Sequence, residues 1–244
     1  MLLRRISKHV KDQNWFAVAL DFFIVVAGIL IAFQITNWSE GRQQSKLGDV
    51  YLTRLGEDLV AMETYLVDRI DKTNAQHALT VQLLQSASNH EISDETLIKA
   101  TQKFFTEGWV TPNLSVVDTV FADLSSTGNL NLINENTRKK ITTYYDDLEK
   151  REKSIRINMD WSLANDSRII FAHDVYRWDQ DMHAATENID EARAHESILL
   201  ARDDLARLSS MYYYIENSAL NNYRDALDNT RQLTQDISTK RGVK

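Results

Sequence analysis

The residues best placed to do chemistry in this chain form one polar cluster late in the sequence. Residues 173–183 read HDVYRWDQDMH, and on a helix Asp179 and His183 share a face because they are four residues apart. A carboxylate and an imidazole can both bind a metal ion. No third ligand accompanies them, so the favoured interpretation is a solvated helix end.

Most other site chemistries are excluded by residue type. The 244 residues include no Cys, which rules out a thiolate nucleophile, a disulfide framework and a Cys-based metal site. The chain also lacks a Gly-rich phosphate loop, a G-x-S-x-G elbow and an H-E-x-x-H helix. We therefore predict no enzymatic activity, no catalytic, metal-ligating or cofactor-binding residue, and no cofactor.

A lone acid, Asp21, lies inside a run of about twenty mostly apolar residues from Phe16 to Ile35. Trp15 and Trp38 bracket this run as interface anchors. At 1.5 Å per residue, such a helix crosses the hydrocarbon core of a bilayer. The sequence thus predicts a transmembrane helix at 15–38, with lipid as one partner.

The flanking charges predict the orientation of this helix. The tail at 1–14 carries four Lys or Arg residues, whereas Arg42 and Lys46 on the other side are diluted by acids. We expect a single-pass protein of the bacterial inner membrane, with a basic cytoplasmic tail and the body at 39–244 in the periplasm. The exit at 33–38 is a poor signal-peptide cleavage site, and a soluble helix is rarely apolar on every face for this length.

One face of the membrane helix collects its unusual residues. Ala17, Asp21, Gly28 and Ala32 fall near one line at 100° per residue. Gly28 and Ala32 form a small-xxx-small pair, which lets two helices approach closely. Asp21 either reaches water at the cytoplasmic headgroups, lies in a helix–helix contact, or lines a conducting oligomer.

The body at 39–244 has the pattern of long helices. Only seven Gly and one Pro interrupt the whole chain. A stripe at helical spacing follows the anchor; its members are Leu47, Tyr51, Leu55, Leu59, Met62, Leu66, Ile70, Thr73, His77, Thr80, Leu84 and Ala87. The predicted fold class is all-α, with the membrane helix continuing into an elongated antiparallel bundle that carries a short helical hairpin.

Capping residues predict where the shorter elements begin and end. Ser93 is expected to cap a helix, Pro112 to open the next one, and Asn134 to cap a second long helix. Gly128 is expected at a structural turn, in the left-handed conformation that follows a helix.

A third long helix is predicted at about 189–237. It contains a series at strict sevens, which would also suit a coiled-coil seam between protomers: Leu199, Ala206, Tyr213, Leu220 and Leu227. The three tyrosines at 212–214 wrap around this helix, so one or two of them should lie in the core.

The segment DFFIVVAGILIAFQITNWSE at 21–40 resembles the membrane segment of a family of uncharacterised bacterial proteins, domain of unknown function 6090. Asp21 stands where that family has an acid, usually Glu, and Gly28 stands at its Gly. Thr36 and Ser39 depart from the family, where Asn is usual. The positions that match its exit segment are Gln34, Asn37, Trp38 and Glu40.

A second patch is similar to the same family, at residues 119–128 together with Leu132-Ile133 and Tyr144-Tyr145. The resemblance implies a single-pass, mostly helical envelope protein and supplies no activity.

Taken with the acidic net charge of −7, which disfavours nucleic acid as a partner, these features predict a membrane-anchored scaffold. It would act through protein–protein contacts, as a homo-oligomer or with another envelope membrane protein. Two alternatives stay open: a periplasmic ligand-binding sensor module that signals through another membrane protein, and an ion-conducting oligomer that uses Asp21.

Overall fold

The computed structural model describes residues 15–107, 112–173 and 191–241, which are helical apart from short connections and contain no strand. The all-α prediction is therefore confirmed. The chain comprises two compact units, residues 1–51 and 52–244. In chain order the elements are α1 (Trp15–Ser88), α2 (Asp94–Glu107), α3 (Thr119–Ser126), the 3-10 helix η1 (Asn129–Leu132), α4 (Glu135–His173), α5 (Glu191–Leu200) and α6 (Arg202–Arg241).

The apolar stripe of α1 forms one wall of the core in the unit at 52–244. Its side chains from Leu55 to Leu66 are essentially inaccessible to solvent, as the three-to-four-residue spacing predicts. Further along α1 the stripe becomes polar, with Thr73, Gln76 and Thr80 fully or almost fully buried. Leu47, the first member of the predicted stripe, is instead exposed.

Helix α6 packs antiparallel to both α1 and α4. As residue numbers rise along α1, those of the hydrogen-bond partners on α6 fall: Glu63 pairs with Arg231 at 2.7 Å, Asn74 with Arg224 at 3.3 Å and Thr80 with Glu216 at 2.8 Å. Contacts with α4 follow the same rule: Lys140 with Asp236 at 2.7 Å, Tyr144 with Thr230 at 2.9 Å, Arg151 with Asp225 at 3.0 Å and Asn158 with Ser218 at 3.2 Å. These three helices form the antiparallel bundle.

The predicted register of the last helix is one residue off. Tyr213 of the predicted series is exposed, and only its last two members, Leu220 and Leu227, are buried. The series that the core uses begins one position earlier and is buried throughout; it consists of Ile198, Leu205, Tyr212, Ala219, Ala226 and Leu233. Both series are apolar, so the spacing alone could not choose between them.

The single helix predicted at 189–237 is interrupted at Ala201, between α5 and α6. Arg202 lies at this break with its side chain only 12% exposed. Its guanidinium donates to the carbonyl oxygens of Ser86 and Asn89 at 3.4 and 3.3 Å, and to Asp94 Oδ1 at 2.9 Å. The break thus places a cation beside carbonyl oxygens at the end of α1, where the helix dipole favours positive charge.

Residues 112–118 are not helical, so the prediction that Pro112 opens a helix is wrong, and α3 begins only at Thr119. Tyr65 Oη donates to the carbonyl oxygen of Asn113 at 3.1 Å and accepts from the Ser115 amide at 2.9 Å. Tyr223 Oη donates to the same carbonyl at 2.8 Å. These side chains satisfy backbone groups that a helix would otherwise pair.

The remaining turn predictions agree with the structure. Ser93 Oγ accepts from the Thr96 amide at 3.3 Å, and Asn134 Oδ1 accepts from the Thr137 amide at 3.0 Å. Gly128 has a φ of 72°, in the left-handed region, immediately after the last turn of α3. Helix α4 is described as far as His173.

Candidate functional site

The apolar part of α1 is open to its surroundings. Among the described residues, one helix is long and apolar enough to cross a membrane, and none of its most apolar window is buried. Asp21, Gly28 and Ala32 are all exposed on it. A Cβ added at Gly28 would meet no atom within 4 Å, so nothing in the described chain requires a glycine there.

The two tryptophans and Ala17 belong to the same helix. Trp15 is the first described residue of α1, and the side chains of Trp15 and Ala17 lie outside the described ones. Trp38 is 64% exposed, and the guanidinium carbon of Arg42 lies 4.8 Å from the centre of its ring. This cation–π contact puts a charge beside an amphipathic ring, a combination typical of a membrane–water boundary.

A second feature lies in the bundle, where α1 and α6 bury a polar cluster of Thr73, Gln76, His77, Thr80 and Glu216. The side chain of Glu216 has no exposed surface, and that of His77 is 20% exposed. Thr80 Oγ1 donates to Glu216 Oε1 at 2.8 Å, and His77 Nδ1 lies 3.0 Å from Glu216 Oε2. Both carboxyl oxygens therefore have a partner on α1.

The rest of this cluster is polar but less well satisfied. The hydroxyl of Thr73 and both amide atoms of Gln76 are buried without a hydrogen bond to the described protein atoms. Gln76 nevertheless favours the charged form of Glu216, since its presence lowers the pKa of that carboxyl. The ring of Tyr213 lies 4.9 Å from that of His77, centre to centre.

Burial dominates the electrostatics of the pair. It raises the pKa of Glu216 to about 7, although Thr80 and Gln76 act in the opposite direction. Burial also lowers the pKa of His77, and the nearby positive charge of Arg224 lowers it further. Both groups are thus shifted toward their neutral forms.

An open groove of about 690 Å³ runs between the first turns of α4 and the last turns of α6. Its lining is mixed; Lys140 and Asp236 form an ion pair of 2.7 Å across it, and Tyr144 bonds to Thr230 rather than facing outward. Lys140, Asp236 and Tyr144 are thus engaged in contacts between the two helices.

Other predicted residues contribute no site of their own. Asp179 and His183 lie outside the described residues. Within the described ranges, no group of three or more His, Asp or Glu is placed to hold a metal ion. Of the three adjacent tyrosines, Tyr212 is in the core and the other two are exposed, within the one or two core members expected.

Sequence reasoning missed the pairing of His77 with Glu216. It treated His77 as an ordinary member of the α1 stripe and assigned no role to Glu216. A signal was present, because Thr73, His77 and Thr80 replace apolar residues where the stripe continues. Glu216 likewise lies four residues after Tyr212, on the apolar side of α6.

Comparisons of the chain with protein-family models, with curated proteins and with solved structures find no match. The resemblance of residues 21–40 to domain of unknown function 6090 therefore stays a prediction.

Proposed function

We propose that this chain is a single-pass protein of the bacterial inner membrane. Its membrane segment would lie at 15–38, its basic tail in the cytoplasm and its helical bundle in the periplasm. The bundle would act through contacts with proteins, either a second copy of this chain or another envelope membrane protein. The observation that carries the proposal is the uncovered apolar segment of α1.

The size of that segment supports lipid rather than water as its surroundings. Eleven large apolar side chains from Phe16 to Ile35 expose between 50% and 77% of their surface. At about 1.5–3 kcal/mol for each side chain, moving them from water into hydrocarbon is worth on the order of 15–30 kcal/mol. Asp21 opposes insertion by only about 3 kcal/mol even at the bilayer centre. Lipid is therefore the favoured surrounding.

Exposed aromatic and aliphatic side chains on the bundle support a role in protein contacts. Ile157 and Trp161 are each 56% exposed on one face of α4, and Tyr214 is 65% exposed on α6. The hydrogen bond between Asn158 and Ser218 shows that these parts of the two helices lie at the same level. Large aromatic residues are enriched at protein interfaces and depleted from ordinary surfaces.

Membrane fractionation tests the anchor. The triple variant I29D/L30D/I31D puts three charges at the middle of the segment, and we expect it to leave carbonate-washed membranes. The matched control V60D/V67D/I157D changes three exposed apolar residues of the bundle and should stay in the membrane fraction. Retention of the first variant at the wild-type level would show that 15–38 is not the anchor.

Energy transfer between labelled copies in lipid nanodiscs tests association. Gly28→Leu adds bulk on the predicted contact face, whereas Ile29→Leu keeps the volume on a neighbouring face. We expect Gly28→Leu to lower the transfer efficiency at least several-fold and Ile29→Leu to leave it unchanged. A strictly monomeric wild-type chain that also binds no other envelope protein would end the proposal.

A further inference from the structure

The pair formed by Glu216 and His77 is unusual because a carboxyl with no exposed surface lies in a helix bundle and, among the described side chains, forms no ion pair with a Lys or Arg. The positive charge of Arg224 acts on His77, and Arg224 also donates to Asn74 Oδ1 at 3.3 Å. An uncompensated carboxylate in such a place costs several kcal/mol. A charged pair is also expensive to bury, so the position of the proton matters.

The described side chains packed near the pair add no further buried charge. On α1, Thr73, Gln76 and Thr80 are neutral, and Arg69 lies two turns from His77, with its guanidinium carbon 6.0 Å from the ring centre of Tyr223. On α6, Tyr212 and Tyr213 lie one turn before Glu216. Helix α4 presents Met159 and Ser162 as its buried residues near this level, and α2 presents Phe104 against Tyr212. Among the described side chains, His77 is thus the titratable partner of Glu216.

The geometry limits where the proton can lie. Because His77 Nδ1 and Glu216 Oε2 are 3.0 Å apart and the carboxyl has no exposed surface, one proton between them serves both groups. Burial shifts both groups toward their neutral forms, since it raises the pKa of Glu216 and lowers that of His77. In the neutral arrangement, the Oε2 hydroxyl of Glu216 donates to His77 Nδ1, while Oε1 accepts from Thr80.

We propose that Glu216 and His77 form one proton-binding site inside the bundle, which holds a single proton on Glu216 and so keeps the α1–α6 packing stable from mildly acidic to neutral pH. In this arrangement neither side chain is charged. The two groups compensate each other, because each alone would make the stability of the bundle depend on pH.

Glu216 and His77 make the stability of the bundle depend on pH in opposite directions. Glu216 has a higher pKa when folded than when unfolded, so its contribution is complete below about pH 4.5 and is lost as pH rises to about 7. His77 has a lower pKa when folded, so its contribution is complete above about pH 6.5 and is lost as pH falls. Between these limits, the folded and unfolded forms of the pair each hold one proton.

Urea unfolding of the full chain in mild detergent, at pH 4.5 to 8, tests this compensation. His77→Gln leaves Glu216 alone, and its unfolding constant should rise by up to tenfold per pH unit, about 80-fold in total between pH 4.5 and 7. Glu216→Gln leaves His77 alone, and its unfolding constant should instead rise as pH falls below 6.5. The double variant should lack both trends.

Exposed residues of the same types provide the controls. The side chain of His90 is 73% exposed, and Glu149 is an exposed residue of α4. His90→Gln and Glu149→Gln should reproduce the wild-type pH profile. Single variants of the pair whose profiles have the same sign, or no pH dependence, would overturn the proposal.

A measurement on folded protein covers the case in which the variants do not fold. In a chain that keeps His77 as its only histidine, ¹⁵N spectra at pH 6 should show a neutral ring with hydrogen on Nε2 and an acceptor at Nδ1. A ring protonated on both nitrogens at pH 6 would mean a buried ion pair, and the proposal would be wrong.

Discussion

The three adjacent tyrosines at 212–214 provide the sharpest test of the core register, because one residue type occupies three environments on successive positions of α6. Tyr212 is 1% exposed and its ring meets that of Phe104 edge to face at 5.6 Å. Tyr213 is 43% exposed and contacts the ring of His77, and Tyr214 is 65% exposed. Replacing each by Ala in turn removes the same atoms each time.

The expected losses follow from these environments. Tyr212→Ala leaves a cavity among fully buried side chains and should lower the free energy of unfolding by about 3–5 kcal/mol. Tyr213→Ala loses a partly exposed ring contact and should lower it by about 1 kcal/mol. Tyr214→Ala should change it by less than about 0.5 kcal/mol. The first loss corresponds to roughly a thousandfold change in the unfolding constant.

Urea unfolding of the full chain in mild detergent, followed by circular dichroism at 222 nm, measures these losses. With a slope of about 2 kcal/mol per molar urea, Tyr212→Ala should lower the midpoint by about 2 M and Tyr213→Ala by about 0.5 M. Tyr214→Ala should stay within about 0.3 M of the wild type. If Tyr213→Ala caused the largest loss, the core would follow the series through Leu199 and Ala206, and the register described for α6 would be refuted.

Three further substitutions test other contacts by the same urea midpoint. Gly128→Ala should lower the free energy of unfolding by about 1–2 kcal/mol, because the backbone at Gly128 is left-handed. Gly56→Ala should raise it by about 0.5–1 kcal/mol, since the added Cβ meets no atom within 4 Å in the helix α1. Changes of the same sign in the two variants would contradict this backbone argument. Arg202→Ala should lower the free energy of unfolding by about 1–3 kcal/mol, because Asp94 and two carbonyl oxygens lose a donor. Arg207→Ala should lower it by less than about 0.5 kcal/mol, because that side chain is 78% exposed. An equal loss in the two arginine variants would mean that the break at the start of α6 needs no cation.

The parts of this fold that the sequence predicts are those decided by local rules. The caps at Ser93 and Asn134 and the turn at Gly128 depend on residues close to one another, and each has its predicted role. The stripe of α1 is also readable, because its buried residues between Leu55 and Leu66 recur every three or four positions.

The parts that local rules miss depend on residues far apart. Helix α6 carries apolar residues on two adjacent lines, and only the position of α1 and α4 selects the line through Tyr212. Pro112 would suit a first helical turn, but Tyr65 and Tyr223 bind the backbone that follows it. The partner of Glu216 is 139 residues away, so its pairing with His77 cannot be read from spacing.

The hydrogen bonds from Tyr65 and Tyr223 to the segment at 112–118 have a consequence for the order of folding. The carbonyl of Asn113 binds Tyr65, 48 residues earlier, and Tyr223, 110 residues later. Closing loops of this length costs entropy that only already-formed structure can repay. This segment should therefore dock after α1 and α6 have paired, and amide hydrogen exchange at Ser115 should report how often that late step reverses in the native protein.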